Sequence, residues 1–263
     1  MMTFSFDLIS DLHVDTWPRF DWTGIATSPV AVVAGDIAMD RNDLVEVLSH
    51  LGKNYQAVFY IDGNDEHTNY LDNLTYSYAD LVTRLETIPN LVYLQDNVVV
   101  IDGVAILGTN GWFGFDFDPN IDPTQCAQWY QNKFNLTGDT VKTISRMATT
   151  DAMYMINSVK RLQTHQDVKK IVMVTHTVPD PVLISHDINL EATWRFNTMG
   201  NQLMRQAHAV DTEKKIHTWC FGHYHSAVDQ VRNNVQYLNH CRGRGNTDYG
   251  QHVYYPRRIS VEF

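Results

Sequence analysis

Short, nearly continuous apolar runs recur along the chain, and each breaks off into polar residues. "FSFDLIS" (4–10), "VAVVAG" (30–35), "AVFYIDG" (57–63), "KIVMVTH" (170–176) and "IHTWCFGH" (216–223) have the length and the β-branched and aromatic content of buried strands. Between them, 41–52, 75–87 and 145–165 space their apolar residues at helical intervals, and Asp40 through Asp43 offers capping acids for the first. Strands and helices in alternation predict a layered α/β fold. "LVYLQDNVVVIDGVAILGTN" (91–110) instead predicts consecutive strands, with Asp102-Gly103 as a two-residue hairpin turn. The end of the chain, "AVDQVRNNVQYLNH" followed by "VYYPRRISVEF", is again strand-rich, with a turn at Asn233-Asn234. Residues 111–140, rich in aromatics, Asp and Pro, predict a loop or small cap. No linker is visible, so 1–263 reads as a single domain.

Composition narrows the function classes. At 44% hydrophobic and 19% charged, the 263 residues suit an ordinary globular protein with a substantial core. A formal net charge of −10 argues against broad, nonspecific binding to nucleic acid or to an anionic membrane. The three cysteines, Cys126, Cys220 and Cys241, form neither a disulfide framework nor a zinc knuckle. The first residues lack a signal-peptide pattern, and no apolar stretch reaches the ~20 residues of a membrane span. A cytoplasmic protein with no membrane partner is the expectation.

The chemistry lies where the apolar runs end. Asp11-Leu12-His13 follows the first, Gly35-Asp36 the second, Gly63-Asn64 the third, His176 the fourth and Gly222-His223-Tyr224-His225 the fifth. In open α/β sheets the carboxyl ends of strands gather at one edge, where ligands bind. Seven oxygen and imidazole donors would therefore converge from five loops. Such a set, with no thiolate, suits hard or borderline divalent cations such as Mn, Fe or Zn. Seven donors exceed what one ion takes from protein, and two ions sharing a carboxylate account for them. A single D-x-H or a single histidine is weak evidence. The whole order, each piece at a strand end, is strong evidence.

With those residues in view, the chain resembles the calcineurin-like metallophosphoesterases, whose signature reads here as "SDLHVD", "AGDI", "IDGNDEH", "VTHTVP" and "CFGHYHS". The resemblance spans roughly 4–240. It implies a four-layer α/β fold, a β-sandwich flanked by α-helices, with two divalent metals at one edge, manganese favoured. It further implies that Asp11, His13 and His225 hold one metal, that Asn64, His176 and His223 hold the other, and that Asp36 bridges them. "GTNGW" (108–112) and "NHCRGRGN" (239–246) resemble loops that line the site in small phosphodiesterase members.

The third motif departs from the pattern. The family places a histidine after the Gly-Asn, and it faces the phosphate and can protonate the leaving oxygen. Here Asp65 stands in that slot. Glu66, matching the acid that orients the histidine, is present, and a histidine follows as His67. Three readings compete. Asp65 can be the acid, although an aspartate at neutral pH is an anion facing an anionic substrate. His67 can replace it, although on a helical turn position 67 lies roughly 60° from Asn64 and more than about 150° from Asp65. Or the acid step is attenuated, which slows turnover by about 10²–10⁴-fold without abolishing it. The third reading is favoured.

Arg242 and Arg244 are candidate phosphate contacts through bidentate hydrogen bonds, and Trp112 is a candidate for stacking on a substrate ring. The expected function is hydrolysis of a phosphodiester, by a hydroxide held between two metals, in a small or nucleotide-like substrate. One alternative is a catalytically weak or silent protein of the same fold acting as a binding module. Another is a phosphomonoesterase or protein phosphatase.

Overall fold

The computed structural model describes residues 2–17, 25–184, 190–245, 247, 250 and 253–263, without the side chains of 190–192. Its first sheet has five strands in the order β11-β1-β2-β3-β4, namely Arg257–Glu262, Thr3–Ile9, Val30–Ala34, Ala57–Ile61 and Leu91–Tyr93. β1 to β4 are parallel, and β11 closes one edge antiparallel to β1. The second sheet has six strands in the order β5-β6-β7-β8-β10-β9: Asn97–Ile101, Val104–Thr109, Lys170–Thr175, Ile216–Phe221, Val235–Asn239 and Val228–Arg232. β6, β7, β8 and β10 are parallel, and a hairpin partner flanks each end of that set.

The period-two alternation of each strand divides its side chains between two cores. Phe6, Leu8, Val32, Ala34, Phe59 and Ile61 of the first sheet meet Ile106, Val172, Val174, Cys220 and Leu238 of the second. On the outer face of the first sheet, Ile9, Ala31, Val33, Val58 and Tyr60 pack on helices α1 (Arg41–Asn54) and α2 (Leu74–Leu85). On the outer face of the second, Leu107, Ile171, Met173, Trp219 and Phe221 pack against the long helix α4 (Gly138–Gln163). The result is helix, sheet, sheet, helix: four layers.

Several local expectations are met. Asp40 caps α1, accepting from the amides of Asn42 at 2.8 Å and Asp43 at 3.1 Å. Asp102-Gly103 and Asn233-Asn234 take positive φ at both turn positions, as a tight hairpin with the right twist requires. The stretch 111–140 differs, because it contains helix α3 (Pro123–Phe134) and the start of α4. Asp122 caps α3 by accepting from Thr124, Pro123 opens its first turn, and Asn135 ends it in the left-handed region. Those signals stand in the sequence, but its dense aromatics mask them. Trp112, Phe113 and Phe115 are needed to build a separate small core with Cys126, Tyr130, Val141 and Ile144. No described helix is long and apolar enough to cross a membrane.

Candidate metal centre

The carboxyl ends of β1, β2, β3, β7 and β8 meet at one edge of the sandwich, and backbone hydrogen bonds cross between their loops. Asp11 N–H donates to Gly35 O at 3.0 Å, His13 N–H to Asp36 O at 3.1 Å, and Gly222 N–H to His176 O at 2.8 Å. Asp11, His13, Asp36 and His223 all have positive φ, between 42° and 64°. A non-glycine residue in that region is strained by roughly 1–3 kcal/mol, and such strain concentrates where surrounding structure imposes it for function. Two glycines permit the crowding. A Cβ on Gly63 would overlap Asp36 Oδ1, and one on Gly222 would lie 2.6 Å from Asp11 Oδ2.

Two groups of donors share one residue. Asp11, His13, Asp36 and His225 each offer an atom within 4.8 Å of the others, and Asp36, His176 and His223 do the same. Asn64 adjoins the second group, its Oδ1 3.1 Å from His176 Nε2. The tautomers are set by hydrogen bonds on the far side of each ring. His176 Nδ1–H donates to Ala34 O at 2.9 Å, leaving Nε2 facing Asp36 Oδ1 at 3.3 Å. His223 Nε2–H donates to Thr198 O at 3.1 Å and leaves Nδ1 for the cluster.

Electrostatics tighten the grouping. Burial alone would raise the Asp36 carboxyl, but the His176 imidazole, helped by His13 and His223, holds it well below the usual carboxylate range. His176 is the reverse: burial opposes its charge, yet Asp36 pushes its pKa up to about 10, so a cation binding at Nε2 must displace a proton held there by Asp36. Burial, then the neighbouring His176 charge, pushes His223 down to about 4.

These residues fit divalent cations. The donors are carboxylates, an amide oxygen and imidazoles, with no thiolate. His13 Nε2 and His225 Nε2 face each other at 2.9 Å, where only one can carry the proton, so a lone pair is always turned inward. His13 Nδ1 is buried and makes no hydrogen bond among the described residues. Imidazole nitrogens crowded this closely beside the Asp11 and Asp36 carboxylates are what a cation takes up.

The remaining candidates divide. Asp65 faces the cluster: its Oδ2 lies 3.1 Å from His13 Nδ1 and accepts from Arg244 Nη2, and its amide donates to Asp36 Oδ1 at 2.9 Å. Its Oδ1 accepts from Asn64 Nδ2 at 3.0 Å, which turns the Asn64 carbonyl oxygen toward His176. His67 does not face the cluster. It is fully buried between Asp62 Oδ2 and Ser77 Oγ, each 2.8 Å away, so the reading in which it replaces the acid is corrected. Nor does Glu66 hydrogen-bond to an imidazole among the described residues. Its carboxylate ties loops together, accepting from the amides of Ile37 at 2.6 Å, Gly63 at 2.7 Å and Asp36 at 3.1 Å.

Trp112 is fully buried and donates its indole N–H to Tyr78 at 2.7 Å, so its expected stacking on a substrate is corrected as well. The two arginines also separate. Arg242 is buried with its guanidinium 4.1 Å from the Trp17 ring, whereas Arg244 reaches Asp65 and is partly exposed. Asn246, at the end of the second lining loop, lies outside the described residues.

Three supporting residues had no individual role in the sequence, although two of them lie in the loops expected to line the site. The Asn110 side-chain amide donates to Asp62, and its backbone carbonyl accepts from the His176 amide at 2.9 Å. Asn239 donates to Tyr224 O and to Ser226 O at 3.1 Å, bracing the loop that carries His223 and His225. Asp151, on α4, accepts from the amides of Gly111 at 2.8 Å and Trp112 at 3.0 Å. A strand-end asparagine hints at the first two. Nothing local marks the third, because its partners are 39 and 40 residues away.

No family model and no curated protein matches the chain by sequence. Solved structures do. A phosphopantetheinyl hydrolase from Mycobacterium tuberculosis superposes with a TM-score of 0.71 at 16% identity, covering 97% of this chain and 95% of that one. A dimetal phosphatase from Danio rerio gives 0.56 at 12% identity, covering 97% and 91%. At such identities the likeness speaks for the fold, and it extends over nearly the full length of both. The layer order, the strand-end clusters and these neighbours together give one conclusion: the chain has the fold of the calcineurin-like metallophosphoesterases.

Proposed function

We propose that the protein is a binuclear metal-dependent phosphoesterase acting on a small phosphate ester. The observation that carries this is the pair of donor groups joined through Asp36. Asp11, His13 and His225 would hold one cation, Asn64, His176 and His223 the other, with Asp36 common to both. Two divalent cations there supply Lewis acidity toward phosphoryl oxygens and lower the pKa of water.

The chain's own residues do the rest. Ala34 O and Thr198 O, by taking the far protons of His176 and His223, keep one lone pair of each ring pointed inward. Asp65 fixes the Asn64 amide so that its oxygen, not its nitrogen, faces the same way. Among the described residues Asp65, rather than an imidazole, follows Asn64 beside the cluster, and His67 is sequestered, which supports a weakened proton-donor step. Turnover is therefore expected to depend steeply on leaving-group acidity. Phosphodiesters are the favoured class, nucleotide-like esters among them, and the phosphopantetheinyl hydrolase neighbour adds a phosphopantetheinyl ester to the compounds to test.

The test is hydrolysis of bis(p-nitrophenyl) phosphate and p-nitrophenyl phosphate by metal-stripped protein, with and without Mn²⁺, beside Asp36→Asn. Mn-dependent turnover that Asp36→Asn loses is expected. Two bound metals with no turnover of either ester would leave the fold serving as a binding module.

A further inference from the structure

Asp65 and Arg244 come from opposite ends of the chain, yet they meet beside the donor cluster. Asp65 opens the turn after β3, and Arg244 lies on the loop after β10. That loop is strapped to the segment carrying Asp11 and His13. Arg242 N–H donates to Ser10 O at 3.1 Å, Gly243 N–H to Asp11 O at 2.9 Å, and Gly245 N–H to Thr16 Oγ1 at 2.9 Å. The Trp17 indole adds a bond to Gly243 O at 3.0 Å. Arg244 is thus flanked on both sides by bonds to the loop that bears Asp11 and His13.

The charges make the pairing informative. An uncompensated Asp65 carboxylate at this edge would repel a phosphate ester, and the bond from Arg244 Nη2 cancels that charge. Asp65 is almost wholly buried, at 6% side-chain exposure, while Arg244 keeps 27%. The guanidinium has five N–H donors in a fixed fork, and among the described residues only Nη2 is engaged. The remaining donors suit the nonbridging oxygens of a phosphoryl group, which the fork can take two at a time.

We propose that Asp65 and Arg244 act as one device, in which the buried carboxylate tethers the guanidinium at the cluster's edge so that its free donors clamp phosphoryl oxygens. In this arrangement the residue in the histidine slot is a tether rather than a proton donor. Arg242, stacked on Trp17, shapes the loop. This rests on the phosphoesterase reading above.

The experiment is calorimetric titration of Mn²⁺-loaded protein with inorganic phosphate, metal content being measured for each variant. The wild type is expected to bind phosphate, and failure to bind with two metals present overturns both this proposal and the reading beneath it. Arg244→Ala is expected to weaken phosphate binding by about 10- to 100-fold, the range for losing a charged hydrogen bond. Adding Asp65→Asn to Arg244→Ala is expected to recover at least about threefold, because the carboxylate left behind repels the anion. Binding within twofold of wild type in Arg244→Ala, or no recovery in the double variant, overturns the device while the metal reading survives. If Arg244→Ala loses metal, Arg244→Lys decides. It keeps the charge without the fork, and a loss of threefold or more is expected, whereas unchanged affinity overturns the proposal.

Discussion

Asp36 presents one oxygen to each donor group, Oδ1 at 3.3 Å from His176 Nε2 and Oδ2 at 3.8 Å from His13 Nε2. Asp36→Asn is expected to cut bound Mn²⁺ from two per chain to one or none by elemental analysis. Its activity loss should exceed the ~10- to 100-fold typical of losing an outer hydrogen-bond partner. Gly63→Ala tests the same carboxylate from behind. The added Cβ overlaps Asp36 Oδ1, so metal content should fall even though the substitution adds no charge. Full metal occupancy in Gly63→Ala would show that the Asp36 side chain can move without consequence. At this scale the sequence was legible wherever a polar residue ends an apolar run, which is why Asp11, Asp36, His176 and His223 could be named before their convergence was seen. It was not legible for His67, whose neighbours Asp62 and Ser77 are fixed by tertiary folding, nor for Trp112, whose place in a buried cluster looks in sequence like an aromatic loop.

The loop that follows β6 depends on α4. Asp151 is fully packed away on that helix, and its carboxylate holds the Gly111 and Trp112 amides. Burial pushes its pKa up to about 7, above the 3.8 of an unperturbed aspartate. A raised folded-state value means the folded chain binds the proton more tightly than the unfolded one. Its stabilising contribution is therefore complete below about pH 4 and is lost as pH rises through 7. Asp151→Asn should flatten the pH dependence of Tm between pH 4 and 7 relative to wild type, as thermal melts across that range will show. An unaltered profile would refute the assignment. Among the elements, the five buried strands and α1 were readable because their periodicity is clean. α3 was hidden, since its capping Asp122 and Pro123 sit in a stretch whose aromatics serve a local core rather than an amphipathic stripe.

Across the whole molecule, the two sheets bring acids and imidazoles together at one edge of a protein that already carries a net charge of −10. Cations binding only the folded chain stabilise it by mass action, about 2.7 kcal/mol for a site held at 100 times its dissociation constant. For a chain of this size that corresponds to a rise in Tm of roughly 5–10 °C per site. Chelation should reverse it, and calorimetry with and without Mn²⁺ measures the difference. The four-layer order was legible as a class from strand and helix alternation. The pairing of β5 with β6 and of β9 with β10, at the two ends of the second sheet, was foreshadowed by their tight turns. The left-handed backbone at Asp11, His13, Asp36 and His223 carries a last consequence, for the protein's evolvability. Those four positions are where a glycine would relax the chain, so the most accessible stabilising substitutions are also the ones that dismantle the cluster. A library passed only through heat challenge in chelator should accumulate glycine there, and a lineage that keeps aspartate and histidine at all four reveals selection for something other than endurance.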